Sequence, residues 1–254
     1  MEQATMMNAF ATAGLARIAS NLGRMAQPSF RISAKVADEA GIPLGSSKLG
    51  GLPDLPPDTA WPALNGAPMS FVAQIRLSDL HSLDAAQGLP ATGLLSFFYD
   101  AQQQTFGDKP STRDGWAVIY HDGAPVPAKL ARLPAPGALP TEARFKACAL
   151  TFTPEWTLPT DPAGESSSLK MSTDEQSKYE TLLANYPTVN DHATIHHRLL
   201  GRPNWLQDDM RSQCQLMSHG VSSASDPRAA ALMRDASKGQ LLLQVDSDEN
   251  AGMR

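Results

Sequence analysis

The sequence predicts an α+β fold made of two similar β-rich halves, with mixed or antiparallel sheets and helices at the periphery. First, 20 prolines and 18 glycines among 254 residues separate short apolar segments, a pattern typical of strands joined by turns. Second, segments with helical spacing are few and lie outside these strand-like runs. Third, two motifs recur in the same order in both parts of the chain, which indicates an internal repeat.

Residues 1–28 are predicted to form an amphipathic N-terminal helix that ends at Pro28. Its apolar residues recur every three or four positions and therefore form one stripe. They are Met7, Phe10, Gly14, Ile18, Leu22 and Met25. The polar side lacks the Lys and Arg density of a membrane-binding helix. Packing against the rest of the chain is therefore favoured over a membrane-surface, partner-binding or oligomerisation role.

Residues 29–254 are predicted to form one domain with two halves. The first half, 29–153, contains five predicted strands, and the first of them alternates apolar and polar residues. The five strands are residues 30–36, 71–77, 93–99, 116–120 and 144–152. Residues 154–170 are rich in Pro, Gly and Ser, which predicts a linker between the halves.

The second half, 171–254, is predicted to begin with a helix that ends near residue 185. Ser172 can cap the free N–H groups at its start, while Glu175 reaches back from the third helical position. A short helix over 191–199 and a last strand over 240–245 are predicted to follow.

An internal repeat links the two halves. Residues 48–53 read KLGGLP and residues 198–203 read RLLGRP, and further along an apolar triplet leads into Gln74 and Gln244. Glycine permits positive φ and proline fixes φ, so these segments are predicted to be stiff loops that feed buried strands. The predicted structural residues of the motif are Gly50, Gly51, Pro53, Trp61, Gln74, Gly201, Pro203 and Gln244.

The two glutamines and the end of the repeat carry two further expectations. A glutamine inside an apolar strand needs hydrogen-bond partners, so Gln74 and Gln244 are expected to hold loops in place. The first half continues into the apolar strand 93–99, whereas the second half reaches residue 254 without a counterpart. The second half is therefore expected to be truncated or to expose an open sheet edge.

These motifs together resemble the bacterial YwqG-like proteins, a family named as a domain of unknown function. The similarity spans about residues 30–254. The residues that carry it are 48–53, 61–62 and 71–75 in the first half, and 197–203, 207–210, 214–216 and 241–248 in the second. The resemblance implies an α+β fold with two similar halves. Family members continue past the segment that corresponds to Gly252-Met253 into a turn rich in Trp and Gly and another apolar strand.

Charge and cysteine content limit the possible partners and compartment. The chain carries 21 Lys and Arg against 26 Asp and Glu, a net charge of −5, which disfavours nucleic acid and favours a basic protein partner. The N-terminus lacks the features of a secretory signal, and no apolar run approaches the roughly 18 residues of a membrane span, so a cytoplasmic protein is expected. Cys148 and Cys214 are predicted to be free thiols.

Two acidic segments are candidate partner-binding sites. Trp205 with Asp208 and Asp209 combines an aromatic anchor with carboxylates that could steer a basic partner, although the same residues could be a core side chain and helix caps. Asp246, Asp248 and Glu249 resemble the start of a calcium loop. An EF-hand needs glycine at its sixth position, where this chain has alanine, so a solvated loop is favoured.

A metal site is a weaker candidate. His192 and His196 are four residues apart, so they would share one face of a helix and could supply two zinc ligands. No glutamate follows His192, so the metalloprotease pattern is missing. A solvated or helix-capping pair of histidines is favoured, and no cofactor is expected.

The predicted function is a cytoplasmic protein-binding module. The chain has no nucleophile elbow, phosphate-binding loop or dinucleotide fingerprint, so no enzyme class is indicated. Some relatives in the resembling family are regarded as immunity proteins of secreted-toxin systems, such as type VI secretion. The resemblance therefore implies an inhibitor that binds a toxin, for example a basic nuclease. The alternative is a small-ligand or metal-dependent enzyme, and monomeric and oligomeric states both remain open.

Overall fold

The computed structural model describes residues 3–80, 88–123, 129–186, 195–205, 209–236 and 239–253. Helices pack around an eight-stranded antiparallel sheet, which confirms the predicted α+β class. Within these ranges, no helix combines the length and the apolar character needed to cross a membrane.

Twelve strands and six helices occur in the part of the chain that the structure describes. The strands are β1 (Gln27–Val36), β2 (Lys48–Leu49), β3 (Asp54–Leu55), β4 (Ala63–Leu64), β5 (Ala67–Pro68), β6 (Ser70–Arg76), β7 (Leu94–Tyr99), β8 (Trp116–His121), β9 (Ala131–Arg132), β10 (Cys148–Thr157), β11 (His197–Leu199) and β12 (Leu243–Gln244). The helices are α1 (Gln3–Thr12), α2 (Ala19–Met25), α3 (Pro162–Glu165), α4 (Thr173–Asn185), α5 (Arg211–Ser218) and α6 (Ala229–Asp235).

The large sheet is curled and has the strand order β12-β11-β1-β10-β2-β6-β7-β8. Its centre is the β1–β10 pair, which runs over ten residues from Gln27 opposite Thr157 to Val36 opposite Cys148. Strands β3 and β9 form a small ribbon, and β4 and β5 form another.

The large sheet has an apolar core on each of its faces. Successive residues of a strand point to opposite faces, and the strand register brings buried residues of six strands together on one face. The main core contains Phe30, Ile32, Leu49, Ala73, Ile75, Phe97, Cys148 and Leu199. A smaller core on the other face contains Leu55, Met69, Phe71 and Phe98. A third cluster joins α1 and α2 to α4 and to the end of β10.

The N-terminal segment forms two helices and not the single predicted helix over 1–28. Gly14 has a φ of +76°, and the N–H of Leu15 donates to the carbonyl of Phe10 at 2.9 Å, which ends α1. After α2, Pro28 lies inside β1. Three residues of the predicted stripe, Phe10, Ile18 and Leu22, are buried in one cluster with Tyr179 of α4, so the stripe packs within the chain.

The predicted linker 154–170 is wrong for its first four residues, because β10 continues to Thr157. Within this extension, Pro154 of β10 lies opposite Phe30 of β1. The rest of the segment contains α3 and the buried Leu158 and Leu169.

The structure confirms the predicted capping box of α4. The N–H of Glu175 donates to the Ser172 hydroxyl at 3.2 Å, and the N–H of Ser172 donates to the Glu175 carboxylate at 2.9 Å. The predicted helix over 191–199 is wrong at its end, because residues 197–199 form β11 and pair with β1. Residues 187–194 lie outside the described residues.

Candidate functional site

The two Gly–Pro loops of the repeat have the same backbone pattern. Gly50 and Gly51 have φ values of +62° and +71°, and Leu200 and Gly201 have values of +59° and +74°. The predicted positive φ is therefore confirmed for the three glycines. Leu200 was not predicted to adopt it, because a β-carbon disfavours this conformation.

The glutamines hold the loops as predicted. The N–H of Asp54 donates to Gln74 Oε1 at 2.8 Å, and Gln74 Nε2 donates to the carbonyl of Ser46 at 2.7 Å. The N–H of Asn204 donates to Gln244 Oε1 at 2.8 Å, and Gln244 Nε2 donates back to the carbonyl of Asn204 at 3.0 Å. Through these bonds, Gln74 holds the segment after the first Gly–Pro loop against β6, and Gln244 holds the segment after the second loop against β12.

Trp61 and the two prolines of the motif also have structural positions. Trp61 Nε1 donates to the carbonyl of Met69 at 2.9 Å, and its ring packs edge-on against Phe98. Pro53 is buried and its carbonyl accepts from the N–H of Leu133 at 2.9 Å, whereas Pro203 lines a cavity described below.

A buried ion cluster lies beneath the first loop. Lys48 Nζ is 3.1 Å from Asp54 Oδ1 and 3.2 Å from Glu39 Oε1, and Arg132 Nε is 2.9 Å from Asp54 Oδ1. Burial lowers the pKa of Lys48. Burial alone would raise the pKa of Asp54, but hydrogen bonding from Arg132 and the charge of Lys48 lower it overall. The two cations and two carboxylates balance, so this cluster anchors the loop.

A second buried ion cluster lies beneath the other loop. Arg198 Nε is 2.9 Å from Glu155 Oε1, and Arg31 Nε is 3.3 Å from Glu155 Oε2. Neither cluster was predicted, because each depends on a distant pair: Arg132 is 78 residues from Asp54, and Arg198 is 43 residues from Glu155. A positively charged residue directly before each loop, Lys48 and Arg198, was the one signal available.

The acidic segment 246–249 is largely engaged within the chain. Asp248 is buried, and its Oδ1 accepts from the N–H groups of Asn250 and Ala251 at 2.9 and 3.2 Å. Its Oδ2 is 3.4 Å from His197 Nε2. Asp248 is therefore not presented to a partner as predicted, and of the predicted acidic residues in this segment Glu249 is the exposed one.

The histidines form no helical metal pair in the described structure. His192 lies outside the described residues, and His196 is buried directly before β11, with its N–H donating to Asp246 Oδ2 at 3.1 Å. Burial lowers the pKa of His197, and its Nδ1 accepts from the N–H of Asp246 at 3.1 Å. Over the described ranges, no three His, Cys, Asp or Glu side chains are grouped closely enough to hold a metal ion.

A cavity of about 630 Å³ lies between the second Gly–Pro loop, α5 and the start of β8. Its lining includes Trp116, Trp205, Met210, Cys214 and Met217, with Glu165, Arg202 and Arg211 at the polar side. Burial raises the pKa of the free Cys214 thiol, which argues against a thiolate nucleophile.

The residues predicted to form a patch around Trp205 differ in their surroundings. Trp205 is half-buried and lines the cavity, whereas Asp209 is exposed and Asp208 lies outside the described residues. Asp209 Oδ2 is 2.8 Å from Arg211 Nε, and this hydrogen bond lowers the pKa of Asp209. The Asp209 carboxylate is thus neutralised locally, which weakens it as a steering charge.

Next to the cavity, a groove of about 580 Å³ separates the two ends of the curled sheet. We call it the apolar groove; its lining includes Val72, Phe97, Trp116, Val118, Leu242, Leu243 and Val245. Trp116 lines both the cavity and the groove. Strand β8 stands on one side and β12 on the other.

The β8 side of the apolar groove carries an exposed stripe. Trp116, Val118 and Tyr120 alternate along β8 and are 47%, 45% and 41% exposed. Large apolar side chains grouped at a surface groove are typical of a protein-binding surface. Residues 116–120 were predicted as a strand, but their exposure was not, because it depends on which strands end the sheet.

Comparison with known proteins identifies a family. No curated protein matches the chain. The family model described as a domain of unknown function, DUF1963, matches residues 47–254, which include both Gly–Pro loops, both glutamines and the apolar groove. The chain therefore belongs to this family of unknown function.

Proposed function

We propose that this protein is a protein-binding module whose partner packs onto the apolar groove. The observation that carries the proposal is the exposed stripe of Trp116, Val118 and Tyr120 beside that groove. Tryptophan and tyrosine are the residue types that most often dominate binding free energy at protein interfaces. Burying this stripe against a partner would remove apolar surface from water and so favour association.

The charge of the chain and the family resemblance suggest the kind of partner. A net charge of −5 favours encounter with a basic protein. The YwqG-like resemblance implies a bacterial immunity protein, so the proposed partner is a secreted toxin such as a basic nuclease. In this proposal the protein acts in the cytoplasm, where it covers the active surface of the toxin.

The proposal includes a fold of two similar halves. Beside β1 the sheet continues with β11 and β12, and beside β10 it continues with β2 and β6. Lys48 lies opposite Gln74 in one flank, and Arg198 lies opposite Gln244 in the other. In this arrangement β1 of the first half and β10 of the second half occupy equivalent positions. Strand β1 pairs with β11 of the second half, and β10 pairs with β2 of the first half, so the two halves exchange their first strands. The second half then begins with β10, before the predicted linker.

A matched pair of variants tests the proposed binding surface. Val118→Asp places a charge in the exposed stripe, and Val36→Asp places one on another exposed strand position, where the valine is 47% exposed. We expect Val118→Asp to weaken binding to the product of the neighbouring gene by at least about tenfold, and Val36→Asp to leave it unchanged. Isothermal titration with the purified proteins measures both. Equal effects of the two variants, or no binding by the wild-type protein, would contradict the proposal.

The second candidate function is small-ligand binding, which the cavity of about 630 Å³ favours because known ligand pockets have this size. Its lining offers the ring of Trp205 and the guanidinium of Arg202. A ligand would raise the melting temperature of the wild-type protein but not of a Trp205→Ala variant. Metal analysis of the purified protein tests the metal-dependent alternative, in which His192 and His196 would be ligands.

A further inference from the structure

We infer that the cavity of about 630 Å³ binds an uncharged, planar aromatic molecule that carries a hydrogen-bond acceptor, such as a carbonyl group, at one end. The inference rests on the second candidate function, small-ligand binding, and specifies the class of ligand. It does not depend on the proposed protein partner. Three features of the cavity carry it: the apolar walls, the paired charges, and the fixed guanidinium of Arg202.

Large apolar side chains from distant parts of the chain form the walls of the cavity. They include Trp116, Trp205, Met210 and Met217. Tryptophan rings stack on flat aromatic groups, and methionine sulfur makes favourable contacts with aromatic rings. A mostly apolar lining with a few polar groups at one side is typical of small-molecule sites. The walls therefore favour an aromatic ligand.

Every charged side chain that lines the cavity in the described structure has a partner of opposite charge. The pairs and their shortest distances are Arg202 with Glu165 at 2.7 Å, Arg211 with Asp209 at 2.5 Å, and Arg113 with Asp114 at 3.7 Å. A charged ligand would lose its hydration in an apolar cavity whose counter-ions are already engaged. The paired charges therefore favour an uncharged ligand.

The guanidinium of Arg202 is held in place at the polar side of the cavity. Its Nε donates to the carbonyl of Met25 at 2.9 Å, and its Nη1 donates to both carboxylate oxygens of Glu165 at 2.7 and 2.8 Å. The N–H of Arg202 donates to Thr157 Oγ1 at 2.8 Å, which fixes the backbone as well. Among the described residues, Nη2 has no hydrogen-bond partner. A donor that is already ordered binds an acceptor at little cost in entropy.

The Glu165 carboxylate favours a neutral acceptor at this position. It binds Nη1 of the same guanidinium, so a ligand carboxylate at Nη2 would lie close to a like charge. A neutral carbonyl oxygen would accept the same hydrogen bond without this repulsion. Arg202 thus selects for an acceptor, and its ion pair with Glu165 selects against an anion.

Three naphthalene probes test the charge of the ligand on the full chain of 254 residues. They share one flat ring system and differ in the end group: 2-naphthamide is neutral, 2-naphthoate is an anion and 2-naphthylmethylamine is a cation at neutral pH. We expect the amide to bind at least about tenfold more tightly than either ion. Isothermal titration measures the three dissociation constants.

A matched pair of variants tests the position of the probe. Cys214→Trp on α5 places a large ring in the cavity, because Cys214 is part of its lining. Gln213→Trp adds the same ring at the neighbouring position, outside the described lining. We expect Cys214→Trp to weaken binding of the amide at least about tenfold, because the ring takes up space that the probe needs, and Gln213→Trp to leave it unchanged.

Arg202→Lys tests the hydrogen bond, because lysine keeps a positive charge for Glu165 but lacks Nη2. We expect this variant to bind the amide at least about fivefold more weakly than the wild-type protein does. The melting temperature shows whether the variant is folded. If it is not, the preference of the wild-type protein for the amide and the effect of Cys214→Trp still decide.

Each other result overturns the inference. Binding of either ion as tightly as the amide would overturn the uncharged class and leave small-ligand binding as a candidate function. Undiminished binding by Cys214→Trp would place the probe outside the cavity, and undiminished binding by folded Arg202→Lys would exclude the hydrogen bond to Nη2. No binding of any probe would overturn the inference and the second candidate function together, while the proposed protein partner, tested by Val118→Asp, would stand.

Discussion

Gly201 has a φ of +74°, and a β-carbon at this position would lie 2.5 Å from the Ser29 β-carbon and 2.7 Å from Thr157 Oγ1. Both neighbours belong to the central β1–β10 pair. A side chain here is therefore opposed by backbone conformation and by lack of space at once.

We predict that Gly201→Ala lowers the free energy of unfolding by about 2–4 kcal/mol. Gly220→Ala is the matched control, because Gly220 has a similar φ of +71° but no atom near the position of a β-carbon. The control should cost about 1 kcal/mol. Urea unfolding of the two variants measures the difference, and equal losses would show that the packing around Gly201 is not tight.

At the scale of one residue, the sequence predicted that a polar side chain in an apolar strand forms hydrogen bonds, but not which groups are its partners. Gln74 and Gln244 were expected to bond because a polar group inside an apolar strand must. The pairing of Arg132 with Asp54 could not be predicted, since the two residues come together only when β3 pairs with β9. The burial of Asp248 was missed for the same reason.

At the scale of elements, an ion pair between Arg17 and Glu175 adds to the apolar cluster that joins α4 to the N-terminal segment. Arg17 Nη2 is 2.6 Å from Glu175 Oε2, and the same carboxylate serves the capping box of α4. Hydrogen bonding from Arg17, and then from the N–H of Ser172, lowers the pKa of Glu175 from 4.5 to about 2.

This shift predicts a pH dependence of stability. A carboxyl group with a lowered pKa in the folded state stabilises the protein above its unfolded pKa, and this stabilisation is lost as the pH falls from about 4.5 towards 2. We expect Glu175→Gln to flatten the decline of the unfolding free energy over that range. Asp226→Asn is the control: Asp226 also has a pKa of about 2, but its partner Arg228 is two residues away, so the same pair can form in the unfolded chain and contributes less to the stability difference. Glu175→Gln should also lower stability at pH 7 more than the control does, and equal losses would argue against a tertiary role for Arg17.

Elements with a strong local signal were predicted well. The capping box identified the first residue of α4, and alternating or continuous apolar residues identified β1, β6, β7 and β8. The segment after β10 was assigned to a linker because prolines and serines usually mark one. Residues 154–157 nevertheless extend β10, because they pair with β1. The local sequence does not indicate this pairing.

At the scale of the whole molecule, the net charge of −5 predicts salt-sensitive association with a basic partner. We expect the association rate to fall at least about tenfold between 20 and 500 mM NaCl, while the dissociation rate changes little. Stopped-flow mixing of the two purified proteins measures both rates. An association rate independent of salt would show that charge does not guide the encounter.

The sequence by itself determined the α+β class, the two Gly–Pro loops and the glutamines that hold them, because each depends on residues close together in the chain or on the chemistry of one side chain. The tertiary structure alone decided the order of the described strands in the sheet, and therefore why Trp116, Val118 and Tyr120 are exposed. Sheet order follows from pairing between segments more than 100 residues apart, such as β1 with β10, and no local pattern encodes it.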